Sequence, residues 1–341
     1  MSLKGSDNSI GISSCYNIRL HIIVFGYKKK GESILILFED TEKDEENRIV
    51  YSVVVDSYVY VHGKNKINKT DEYLRKYKIG RNLSVAVWTH PHLDHSKGFK
   101  HILEKYSTTK TKVISAPHYF NQKDDIVKVK GKENIEVVNE IFRMNRFQRG
   151  IIGRPSSMKN SYSPIDSITL KGFDSSQFNV AIDAIAPCVS ILDGYKAEGK
   201  TGLNPNEISI AFILSVNDLY FLFAGDTLND HIVSTDPEYL GNCVFVKIPH
   251  HASKTSDSLI GYLDGERLET ACVTRFKSGN SNLPDQDIVN GYLNLTDNVF
   301  STGDSIHEKC DYGIVEYLYE FKKSNGYEKS VQLKGNAYEC E

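Results

Sequence analysis

Between Ala86 and Phe99 the chain reads AVWTHPHLDHSKGF, with His90, His92, Asp94 and His95 inside six positions. An almost unbroken apolar run, LSVAVW, precedes the cluster and reads as an inner strand covered on both faces. After it, Phe99, Ile102, Leu103 and Tyr106 recur at i, i+3, i+4 and i+7, one face of an amphipathic helix. The polar cluster is therefore pinned to a strand-to-helix connection. In extended backbone, residues i and i+2 point the same way, so the imidazoles of His90 and His92 can reach one cation together. Asp94 and His95 fall on the following turn and can face a second cation close by. Histidine and carboxylate ligands without nearby cysteine suit Zn2+ or Mn2+ and disfavour a structural cysteine-type zinc site.

Around this connection the pattern is that of a layered α/β chain with mixed sheets. IRLHIIVFG, SILILFE and RIVYSVVVDSY read as strands, with EDTEKDEEN as an exposed hairpin loop. KTDEYLRKYK reads as a short helix, and TKVISAP as a strand. NVAIDAIAP, ISIAFILSV, LYFLFAG, CVFVKIP and TACVTRF read as later strands, and the tail is β-rich. Helices are interspersed without regular alternation, which argues for mixed sheets. The 341 residues, 40% apolar, suffice for one sizeable core. The expected organisation is a polar leader over 1–17, one domain over 18–325 and a C-terminal strand or tail over 326–341. An insertion over about 119–165 carries a helix, NIEVVNEIFRMNRF. In it, Arg143, Arg146 and Arg149 recur at i, i+3 and i+6, with Arg154, Lys128, Lys130 and Lys132 nearby. With Phe142 and Phe147 it could form a lid over a polyanion, although an ordinary solvated helix face is the commoner use of such a pattern.

Two later blocks extend the cation chemistry. The apolar run Tyr220–Ala224 stops at Gly225-Asp226-Thr227, where glycine permits a tight turn and the carboxylate can point into a cleft. His250-His251 follows the strand CVFVKIP. Adjacent side chains diverge in extended backbone, so one of the two is expected to ligate. His250, the first after the strand, is favoured, leaving His251 to orient or protonate a leaving group; the reverse assignment stays open. The following Ala252-Ser253-Lys254-Thr255-Ser256 offers hydroxyls, an ammonium and backbone N–H groups suited to phosphate oxygens. His118, after the strand TKVIS, is a lone candidate of the kind that is more often structural. His21, His62, His101, His231 and His307 have no partner pattern and read as surface or core.

HxHxDH after an apolar strand resembles the signature of the metallo-β-lactamase fold. That resemblance implies an αββα sandwich of two mixed β-sheets flanked by helices, with metals at the strand ends between the sheets. GESILILFED…YSVVVDSY resembles the family's opening hairpin through Glu32 and Asp56. YFLFAGDT resembles the strand whose aspartate, here Asp226, bridges two metals. VFVKIPHHASKTS and NPNEISIAFIL, the latter through Asn206 and Ser209, resemble the soluble nuclease-like domain of ComEC-type competence proteins and its standalone relatives. The likeness spans about residues 18–320. There are departures. AIAPCVS lacks the further histidine that many relatives place before the Gly-Asp strand, and Leu283 precedes Pro284 where the branch often has histidine. Ala252 stands where relatives usually have glycine, which puts close backbone approach to a phosphate in question.

The resemblance implies a metal-dependent hydrolase, a phosphodiesterase or nuclease. Zn2+ or Mn2+ would be held by His90, His92, Asp94, His95, Asp226 and His250. A hydroxide held between the ions would attack phosphorus, with Asp94 taking the water's proton and Lys254 holding non-bridging oxygens. DNA, RNA or a nucleotide is the expected partner. Two alternatives are a lactone or thioester hydrolase on the same site, and a nucleic-acid or nucleotide sensor with a degraded one. Net charge of −3 advertises no global polyanion field, and a local basic groove would be needed. Six cysteines lack CxxC spacing and fit reduced thiols. With no apolar run long enough to span a membrane, a cytoplasmic location is the expectation.

Overall fold

The computed structural model describes residues 9–115, 127–148, 166–235, 237–303, 310–323 and 326–341. Its architecture is α/β, with two large mixed sheets and several helices. The seven-stranded sheet runs in the order Tyr327–Gly335, Tyr312–Phe321, Ile18–Tyr27, Glu32–Asp40, Ile49–Val55, Val85–Trp88, Lys112–Ser115. Its first four pairings are antiparallel and the last two parallel. The nine-stranded sheet is also mixed, and at its heart Leu219–Phe223, Cys243–Lys247, Thr270–Val273 and Val299–Ser301 pair in parallel.

Aromatic contacts join the sheets face to face. Phe221 meets Tyr319 at 5.1 Å between ring centroids, Phe245 meets Tyr317 at 5.0 Å, and Phe178 meets Phe321 at 4.6 Å. Rings packed edge to face in this way add to the burial that drives the layers together. On the other face of the nine-stranded sheet a second apolar cluster joins Ile213, Leu222 and Val246 to Ile232, Leu259 and Tyr292. The arrangement is compatible with a two-sheet sandwich with helices outside.

The apolar runs form strands where their period demands it, and the helices Lys69–Lys76, Phe99–Tyr106 and Lys132–Gln148 fall where expected. Two terminal segments do more than the sequence pattern suggests. Ser9–Ile12, expected within a polar leader, pairs in parallel with Asp166–Gly172 at the edge of the larger sheet. The strand is too short for its period to show, and only Ile12 is buried. The C-terminal stretch supplies strands to both sheets, Tyr327–Gly335 and Tyr338–Glu339. Among the described residues no helix is long and apolar enough to cross a membrane.

One charged group sits inside the central strands. His21 Nε2 lies 2.9 Å from Glu39 and its Nδ1 3.5 Å from Glu316, all three buried. Burial opposes charging His21, but bonding to Glu316 and Glu39 outweighs it and raises its pKa. A raised histidine pKa stabilises the folded state fully below the unfolded value and loses that contribution as pH rises through the folded value. The stability difference between wild type and His21→Gln, from urea midpoints, should therefore be largest in mildly acidic buffer and shrink on alkalinisation.

Candidate metal centre

Strand ends of both sheets deliver the candidate ligands to one place. Val85–Trp88 ends at Thr89-His90, and the turn is braced by Trp88 Nε1 donating to Ser96 Oγ (3.0 Å), which donates to the His92 carbonyl (2.7 Å). Asp94 and His95 follow on the short helix Leu93–Ser96. From the insertion helix, buried Asn134 donates to the Pro91 carbonyl at 2.7 Å. Leu219–Phe223 leads to Gly225, whose left-handed φ of 51° turns Asp226 inward. The Asp226 N–H donates to Ser209 Oγ at 2.9 Å, and the His250 N–H to the Gly225 carbonyl at 2.9 Å.

Two groups of potential ligands result: His90, His92 and Asp226, and Asp94, His95 and His251. Asp226 straddles them. Its Oδ2 lies 3.5 Å from His90 Nε2, while its Oδ1 lies 3.6 Å from His95 Nε2 and 3.8 Å from His251 Nε2. Asp94 Oδ2 lies 3.8 Å from His95 Nε2 and 3.6 Å from His251 Nε2. His95 Nε2, His251 Nε2 and Asp226 Oδ1 are buried without a hydrogen-bond partner among the described residues. Converging lone pairs with no donor between them are what a cation site requires, and an expensive arrangement otherwise.

Proton accounting shows which tautomer the surroundings select when these imidazoles are neutral. Asp56, itself at a left-handed φ of 55°, receives the Thr89 N–H (2.8 Å) and the Thr89 hydroxyl (2.6 Å). It also lies 2.7 Å from His95 Nδ1. A carboxylate only accepts, so His95 Nδ1 holds the proton and Nε2 presents a lone pair. The Thr89 oxygen, having given its proton to Asp56, accepts from His90 Nδ1 at 3.0 Å, with the same consequence.

The electrostatics favour added positive charge. Burial pushes His90 well below its ordinary pKa, keeping it neutral. Burial works against charging His95 too, yet Asp226 and Asp56 prevail and raise it well above. Burial likewise opposes ionising Asp226, but His95, His251 and His90 hold it well below the usual carboxylate range. A cation would supply what the histidines otherwise supply by protonation.

Of the expected ligands, the geometry gathers His90, His92, Asp94, His95 and Asp226. His250 does not join either group, and His251 does. His250 points its Nε2 at Asn206 Nδ2 (2.9 Å) and its Nδ1 at Thr255 Oγ1 (2.7 Å). Strand alternation fails for the pair because neither residue is extended: His250, His251 and Ala252 have φ of 46°, 53° and 60°, a left-handed turn. Lys254, expected to hold non-bridging oxygens, pairs at the surface with two acids. Its largely exposed ammonium lies 3.5 Å from Asp285 and 3.4 Å from Asp287. Arg143 of the expected basic stripe is paired with Glu140 at 2.8 Å. His118, His307, Arg149, Arg154 and the side chains of Arg146 and Phe147 lie outside the described residues. His21, His62 and His101 pair with acids away from the centre, and His231 Nδ1 accepts from the Cys188 N–H. Thr89 and Thr274, which sequence reasoning misses, have no spacing signature. Two clefts, of about 680 and 430 Å³, lie elsewhere, and neither is lined by residues of the two groups.

No family model matches the chain, and no curated protein matches it significantly.

Gly225 is the backbone hinge of the centre. A Cβ there would meet the Ile210 carbonyl and Ser209 Oγ at 2.7 Å, at a φ that disfavours side chains. Gly225→Ala should cost about 1–3 kcal/mol in urea unfolding. Gly194→Ala, at an open helical position, should be neutral or stabilising.

Proposed function

We propose that this chain is a metal-dependent hydrolase of metallo-β-lactamase type that holds two cations and cleaves phosphodiesters. The observation that carries the reading is Asp226, whose two oxygens face two separate ligand groups while buried histidine nitrogens converge on the same space. His90, His92 and one Asp226 oxygen would hold one cation. Asp94, His95, His251 and the other oxygen would hold the second. Zn2+ or Mn2+ suits this nitrogen and carboxylate set and, when bound, supplies Lewis acidity and a coordinated water of lowered pKa. Asp56 and Thr89 keep the His90 and His95 imidazoles in the tautomer that presents Nε2.

The phosphodiester assignment is supported by the sequence blocks resembling the nuclease-like branch and by the polar character of the rim. His92 and His250 are the partly exposed members of the site, and beside His250 stand Asn206, Ser253 and Thr255. Neutral donors and hydroxyls there can meet phosphoryl oxygens. A nucleic acid or nucleotide is the proposed substrate.

The test is metal content together with hydrolysis of bis-p-nitrophenyl phosphate. The purified chain should take up Zn2+ or Mn2+, gain thermal stability on loading, and lose that gain to a chelator. Asp226→Ala and His92→Ala should lower turnover by at least about 100-fold, at or beyond the loss usual for an outer-shell partner. Hydrolysis of lactones or thioesters with no phosphodiester cleavage would transfer the site to carbonyl substrates. Oligonucleotide binding without turnover would make the chain a sensor.

A further inference from the structure

Behind His251 stands a buried charge pair that the proposed chemistry does not use directly. Glu32 opens the strand Glu32–Asp40 of one sheet, and Lys247 closes the strand Cys243–Lys247 of the other. Their side chains meet at 2.7 Å, with Glu32 3% exposed and Lys247 fully buried. Lys247 also donates to the Ile248 carbonyl at 3.1 Å. A buried ion pair is a poor source of stability, because desolvating both charges offsets most of their attraction. Its place in the hydrogen-bond chain gives it another use.

Thr274, fully buried just after the strand Thr270–Val273, donates its hydroxyl proton to Glu32 Oε2. Its oxygen, 2.9 Å from His251 Nδ1, can then only accept from that nitrogen. The Thr274 carbonyl, at 3.2 Å, is a second acceptor for the same proton. The neutral His251 imidazole thus carries its proton on Nδ1 and turns the Nε2 lone pair toward Asp94 and Asp226. This repeats, with different residues, what Asp56 and Thr89 do for His90.

We propose that Glu32, with Lys247 as its counter-ion, is a positioning residue that commits the Thr274 hydroxyl and so fixes His251 as a ligand. The inference rests on the two-cation reading for its purpose, but its geometry can be tested without a cation. In Glu32→Gln the side-chain amide can donate to Thr274 Oγ1. The hydroxyl proton is then free to turn to His251 Nδ1, favouring the Nε2–H form. Thr274→Val deletes the hydroxyl and leaves the ion pair in place, and Thr274→Ser keeps both.

Long-range proton–nitrogen NMR correlation of the metal-free protein, at alkaline pH with the imidazole neutral, reads the His251 tautomer directly. His251→Gln assigns the signal. The expected result is Nδ1–H in wild type and a shift of population to Nε2–H in Glu32→Gln/Lys247→Met, which removes both charges together. Cadmium-113 spectra of the loaded protein supply the second readout. One of two resonances should need about 10–100-fold more cadmium in the double variant and in Thr274→Val, and Thr274→Ser should behave as wild type. Should the double variant fail to fold, the comparison of valine with serine at position 274 decides. Folded variants with wild-type tautomer and wild-type cadmium affinity would overturn the proposal. Wild-type protein that binds no cation but shows the tautomer shift would sink the two-cation reading and leave the positioning role standing.

Discussion

A carboxylate removed from water must find donors or positive charge, and here four of them do so within one small volume. Glu32, Asp56, Asp94 and Asp226 are all buried around the ends of strands from both sheets. Lys247 answers Glu32, and Thr89 and His95 answer Asp56. Asp94 and Asp226 are left facing imidazole nitrogens, and Asp226 Oδ1 has no donor among the described residues. Most of the local structure follows from that imbalance: the threonines after two strands, the left-handed residues that turn side chains inward, and the intersheet ion pair.

The sheets make such a concentration possible. Parallel strands of one sheet place their carboxyl ends at the same edge, as Leu219–Phe223, Cys243–Lys247 and Thr270–Val273 do, and Val85–Trp88 of the other sheet brings His90 and His95 to the same point. The aromatic layer between the sheets fixes their separation without contributing a polar atom to the site. Rigid strands holding short connections suit a centre whose ligands must stay within a few tenths of an ångström.

Much of this is legible from periodicity and spacing. HxHxDH between an apolar strand and an amphipathic helix locates five of the six residues in the two ligand groups once Gly-Asp is added. What spacing does not reveal is conformation that breaks its own rule. Alternation along an extended strand allows one of the pair to ligate and chain position favours His250, whereas the left-handed turn brings His251 into one of the two groups. Thr89, Thr274 and Lys247 act through bonds to partners as far as 242 positions away, as between Thr274 and Glu32. Lys254 reads as a phosphate clamp from its neighbours in sequence, whereas Asp285 and Asp287, near it only in space, hold its ammonium.

Ala252 sits at a φ of 60°, in the left-handed region that favours glycine, and its methyl is wholly buried among Ile248, Leu259 and the rest of the outer apolar cluster. Adopting the left-handed form costs an alanine roughly 1–2 kcal/mol, and burying one extra methyl returns about 0.8 kcal/mol. Burial therefore offsets part of the strain, and the added carbon belongs to the outer apolar cluster. The turn that carries His250 and His251 is thereby closed from behind: the Ala252 N–H is spent on the Pro249 carbonyl at 2.9 Å, and no part of the residue reaches solvent.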